Sequence, residues 1–138
     1  MDTSVLVAAL QARHQDHARC RDALHDLLLA SSVVVPEPAL VETYSVLTRI
    51  PPPFRMNPVV VLRLLRETLS GHAQVAPVPE GRSWDFLSAA AERGVAGGAT
   101  YDDRILFCAL ETGARRLLTL NLRDFERLAQ GRVEVVSP

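Results

Sequence analysis

Lysine is absent from this chain, so all 15 of its basic side chains are arginine. That absence removes every mechanism built on a side-chain primary amine: a Walker A phosphate loop, a Schiff base, and the lysine-assisted phosphoacceptor site of a response-regulator receiver. Cysteine is nearly as scarce. Cys20 and Cys108 lack CxxC spacing and sit in apolar helical patterns, which reads as buried thiols in a reducing cytosol rather than a disulfide. Long apolar runs are missing as well. Leu27 to Ala30 and Val33 to Val35 fall far short of the roughly 20 residues a membrane span needs, and no charged leader precedes Val5 to Leu10, so a cytoplasmic location is expected. Nor is one sign of charge in excess. A formal net charge of -1 offers no basic surface of the kind that tracks a nucleic-acid backbone, so RNA binding would need another source of attraction.

What is present is an alternation of strand-like and helical patterns, as in a mostly parallel sheet flanked by helices. With 138 residues and 48% hydrophobic content the chain can build one α/β core, and residues 1–138 are read as a single domain. Val33 to Val35, Val75 to Val78, Leu117 to Leu120 and Val133 to Val136 are the strand candidates. Ala18, Ala23, Leu24, Leu27 and Leu28 recur at helical spacing behind Asp16 as cap. Asn57 and Pro58 mark a helix start that runs through Leu62, Leu65 and Leu69 to a stop at Gly71. Pro51 to Pro53 break the helix before it, and Ser83 opens another that Gly94 closes.

Several carboxylates fit a purely structural role poorly. The helix Pro38 to Arg49 carries apolar residues on several sides and should be largely buried, yet it holds Glu42, which then needs a cation, a hydrogen-bond network or an exit to solvent. Thr100 and Asp103 have capping-box spacing, so Asp103 is explained by helix initiation. Asp102 lies about 100° further round the helix and is left over. Its bland explanation is compensation of the helix dipole. Asn121 and Asp124 follow directly on an apolar strand, where ligands bind in open parallel sheets, although Asp124 could equally cap the helix Phe125 to Leu128. Asp2 alone says little.

Taken together, Asp2-Thr3-Ser4-Val5, Glu42, Tyr101-Asp102 and the run Leu118 to Phe125 resemble the motif series of PIN-domain VapC toxins, over nearly the whole chain. The resemblance implies an α/β/α three-layer sandwich with a short parallel sheet. It also implies a Mg²⁺- or Mn²⁺-dependent endoribonuclease, neutralised by a VapB-type antitoxin and paired as a homodimer. By it, Asp2, Glu42 and Asp102 match three family acids, and the fourth is Asp124, because Asn121 stands where many relatives have an acid; Asn121 would then reach the ion through water. Thr3, Ser4 and Thr119 match hydroxyls that orient the carboxylates. One departure stands out: only Met1 precedes the first acid, so the first strand is reduced to a stub. Either the start lies upstream or the sheet tolerates the stub.

The chemistry suits that implication. Carboxylates gathered in one cleft repel by about 4 kcal/mol per close pair at an effective dielectric near 20, and hard oxygen donors select Mg²⁺ or Mn²⁺. No Cys/His cluster competes, and His14 and His17 are read as solvated residues. Bound cations would also supply the missing attraction for phosphate, assisted by Arg49, Arg104, Arg123 and Arg127, whose alternative is pairing with neighbouring acids. Two rival readings are a catalytically impaired PIN-like module that binds RNA or a partner, and a small Mg²⁺ phosphohydrolase, which lacks its Asp-x-Asp loop here.

Overall fold

The structure, a computed structural model, describes residues 1–138. Seven helices and four short strands alternate along the chain: α1 Thr3–Leu10, α2 His17–Leu29, β1 Val34–Pro36, α3 Glu37–Arg49, α4 Pro58–Leu69, β2 Gln74–Ala76, α5 Ser83–Glu92, α6 Ala99–Glu111, β3 Arg116–Leu118, α7 Leu122–Ala129 and β4 Glu134–Val136. Local chemistry accounts for several boundaries. Asn57 accepts the Val59 N–H at 2.9 Å, Pro58 leads α4, and Val61, Leu65 and Leu69 bury one stripe of it. Gly71 then takes φ +80°, a conformation that costs a residue without a Cβ little.

The strands pair in parallel as two couples, β1 with β2 and β3 with β4. Residues 1 and 2 join the couples. The Met1 amino group donates to the Val34 carbonyl oxygen at 2.9 Å, and the Asp2 amide donates to the Leu118 carbonyl oxygen at 3.0 Å. The stub therefore occupies the position between β1 and β3, giving the spatial order β2, β1, stub, β3, β4.

Side-chain alternation along the β3 segment sorts the core into two layers. Leu118 and Leu120 pack on a cluster drawn from α1, α2, α4 and β1, with Val5, Leu6, Leu24, Val35 and Val61 at its centre. Leu117 faces the other way, into Ile105, Leu106, Phe125 and Leu128 of α6 and α7. The result is the expected α/β/α arrangement with a short parallel sheet. Cys20 and Cys108 are free, buried thiols whose pKa burial raises.

Two expectations need correction. Only Ala39, Thr43 and Leu47 of α3 are buried, whereas Val41 and Tyr44 are 61% and 38% exposed. A stripe at i, i+4, i+8 is all that α1, α4 and α6 cover, and Thr43 joins it because its hydroxyl donates to the Ala39 carbonyl oxygen at 2.7 Å. In α2, Leu24 is buried but Ala18 is exposed, and Asp16 makes no capping bond because its carboxylate holds Arg19 at 2.8 Å.

Candidate active site

Asp2 is 3% exposed and pairs with no cationic side chain. Hydrogen bonds hold its charge instead. As N-cap of α1 it accepts the Thr3 amide on Oδ1 at 2.6 Å. Oδ2 accepts the Ser4 amide at 3.2 Å, the Ser4 hydroxyl at 2.6 Å and the Thr119 hydroxyl at 2.8 Å. The hydroxyls are themselves occupied from behind: Ser4 Oγ accepts the Leu120 amide, and Thr119 Oγ1 accepts the Asn121 amide, both at 2.9 Å. This mesh ties the chain after β3 to the start of α1 and fixes the carboxylate's orientation.

Glu42 enters from α3, where the Thr3 hydroxyl donates to its Oε2 at 2.8 Å. Asp102 comes from the first turn of α6 and Asn121 from the residue before α7. Asp2, Thr3, Ser4, Glu42, Asp102 and Asn121 all line one open cavity of about 650 Å³. Asp124, in the first turn of α7, lies outside that lining, half-exposed and 3.7 Å from Arg127. It is nevertheless close enough to act on Asp102. Burial first, then the charges of Asp2, Glu42 and Asp124, push the Asp102 carboxyl up to about 6, with Arg127 offsetting part of the rise. Four acids far apart in sequence thus share one electrostatic field.

Asp103 does not cap α6. The helix starts at Ala99, earlier than Thr100-x-x-Asp103 implies, and places Asp103 beyond the unpaired amides of the first turn. Its carboxylate, 2% exposed, is gripped by Arg93, whose Nη1 and Nη2 donate to Oδ1 and Oδ2 at 2.9 and 2.7 Å. Asp124 does not cap α7 either, since that helix begins at Leu122.

The cavity has a wall that sequence reasoning missed, made by His14, Gln15, Asp16 and Arg19. His14 is therefore a cavity residue rather than a remote solvated one, with Nδ1 accepting the Asp16 amide at 3.1 Å. His17 is structural: its Nδ1 meets the Ala8 carbonyl oxygen at 3.0 Å. The polar cluster between α1 and α2 was the available signal. Of the four arginines singled out, Arg104 stacks on Phe86 at 4.9 Å and Arg127 pairs with Asp124, whereas Arg49 and Arg123 have no acid partner.

No three of these acids stand close enough to grip one ion together. A hard cation does not require it, because Mg²⁺ keeps several waters and takes one or two carboxylates. The donor set fits such an ion: oxygen donors only, and in Asp102 a carboxyl destabilised as an anion by burial and then by its acidic neighbours, without a cation bonded to it.

Comparison with known proteins agrees with this arrangement. The family model described as PIN domain matches residues 1–131. Two relatives, each called Ribonuclease VapC40, come from Mycobacterium tuberculosis strains CDC 1551 / Oshkosh and ATCC 25618 / H37Rv. Each is 42% identical over 135 residues, covering 97% of this chain and 94% of the relative.

Proposed function

Because the chain belongs to the PIN-domain family and to its VapC-type branch, we propose that it is a Mg²⁺- or Mn²⁺-dependent endoribonuclease toxin restrained by a VapB-type antitoxin. The observation that carries this reading is the unbalanced acid field at Asp102, raised to about 6 by burial and three other carboxylates. Of Asp2, Glu42, Asp102 and Asp124, one or two would hold the ion directly and the others, with Asn121, through intervening waters. When bound, the ion supplies the Lewis acidity that activates water and neutralises charge on a phosphodiester. The chain's own residues orient and position. Ser4 and Thr119 keep Asp2 Oδ2 fixed, Thr3 steers Glu42, and Arg123, which has no acid partner, offers a guanidinium group for phosphate. The antitoxin would lie across this cleft.

The proposal extends to one domain over residues 1–138, a cytoplasmic location and a homodimer. No helix is long and apolar enough to cross a membrane. An apolar trough of about 500 Å³, lined by Leu40, Val41, Tyr44, Leu62 and Val75, supports the dimer. A second reading, a non-cleaving PIN-like module that binds RNA or a partner, draws on the four hydrogen bonds Asp2 already accepts and on Asn121 in place of an acid. Titration with Mn²⁺ and an RNA cleavage assay separate them. Metal-dependent cleavage lost in Asp102→Asn is the expected result, and cleavage that survives that substitution refutes the site.

A further inference from the structure

A second cavity adjoins the first, with Glu42 belonging to both. It holds about 680 Å³, and its lining includes Ser45 and Arg49 of α3, Val78, and Tyr101 and Ile105 of α6. Tyr101 is 73% exposed, although covering a ring of that size would stabilise the fold by about 1.5–3 kcal/mol. Its hydroxyl makes no hydrogen bond within the chain. Tyr101 is the one Phe, Tyr or Trp ring that lines either of the two cavities Glu42 joins, the His14 imidazole lying in the first and Tyr44 facing the apolar trough. Tyr101 also immediately precedes Asp102, so ring and carboxylate leave the first turn of α6 about 100° apart, one toward each cavity.

Building on the ribonuclease reading, we propose that this second cavity is a stacking site for one unpaired nucleobase beside the scissile phosphate, with the Tyr101 ring as platform and Arg49 as contact for the neighbouring phosphate. Three considerations converge. A nucleobase is neutral, so stacking on Tyr101 succeeds in surroundings that hold Glu37 and Glu42 and would repel a bare phosphate. Val78 and Ile105 give the cavity apolar sides against which the base edge loses water. Arg49 is exposed and has no acid partner, leaving its guanidinium available for a phosphate oxygen. The site thereby supplies attraction that a chain of net charge -1 does not get from a basic groove. It selects single-stranded or looped RNA, because a base held in a duplex cannot splay onto a side chain.

The experiment uses Asp102→Asn protein to hold RNA uncut, and compares affinities for a single-stranded oligoribonucleotide, its duplex, and copies with one abasic nucleotide placed at each position in turn. Tyr101→Ala in that background is expected to weaken single-strand binding by about 5- to 150-fold, the effect of one stacked base, with Tyr101→Phe and Tyr101→Trp within about two-fold of the parent. One abasic position should cost as much and abolish the difference between Tyr101 and Ala. Arg49→Ala should reduce the salt slope by about one while keeping the abasic sensitivity. Unchanged RNA binding in Tyr101→Ala overturns the proposal, as does a loss in Tyr101→Phe equal to that in Ala, which would indicate a hydroxyl contact. A Tyr101→Ala defect confined to antitoxin binding also overturns it and makes the cavity a protein site. Cleavage by the unmutated protein is scored separately, so failure of the ribonuclease reading stays distinguishable from failure of the stacking site.

Discussion

Replacing Asp102 by asparagine should stabilise the metal-free protein. Asp102 has a folded pKa of about 6 against an ordinary value of 3.8, so the folded chain binds this proton more tightly than the unfolded one. Stability contributed by the raised group is fully present below pH 4 and is lost as pH climbs through 6. Two pH units correspond to about 3 kcal/mol as an upper bound. The side chain is only half-buried, and solvent screening reduces the usable figure to about 1 kcal/mol. For a domain of this size that is a rise in Tm of about 3–5 °C. The assay is thermal unfolding in EDTA of parent and Asp102→Asn proteins, at pH 7.5 and again near pH 4. The variant should melt higher at pH 7.5, with the gap closing as pH falls. Added Mn²⁺ should then reverse the order, because it relieves the acid field only where Asp102 is present. A variant that melts lower than the parent in EDTA at pH 7.5, or a gap indifferent to pH, would refute the claim that burial and the neighbouring acids disfavour the Asp102 anion.

Thr119→Val removes a donor to Asp2 and the acceptor of the Asn121 amide in a fully buried position, and should lower stability by about 1–3 kcal/mol and reduce cleavage. Thr119→Ser keeps the hydroxyl and should recover most of both in melting and kinetic measurements. Arg93→Ala strands the Asp103 carboxylate and should cost about 3–5 kcal/mol in denaturant unfolding, whereas adding Asp103→Asn to it should return a large part of that loss. Equal losses in the single and double variants would mean the pair is not coupled.

Periodicity and punctuation carried most of the fold. Each strand candidate lies within two residues of an observed strand, and the Asn57-Pro58 and Gly71 signals bound α4 as expected, since those effects act over one turn of chain. The failures have a common cause in distance. The capping-box pattern at Thr100 was locally sound, but the partner that claims Asp103 sits at the end of α5, across a glycine-rich connection that no spacing rule spans. Likewise the apolar content of α3 suggested burial, while how much of it is covered depends on how many neighbours pack there. The acids of the site were readable as surplus charge in unfavourable places. The wall from His14 to Arg19 left only a polar cluster as its trace, because the turn between α1 and α2 is what carries it over the cavity.

The seam between the two strand couples passes through a residue with two duties. Asp2 closes the sheet with its amide on Leu118 and reaches toward the cleft with its carboxylate, so the backbone that joins the halves also sets where the acid stands. Any slippage of β3 against β1 would be transmitted to that carboxylate directly, and the integrity of so short a sheet becomes a condition for the geometry of the chemistry above it.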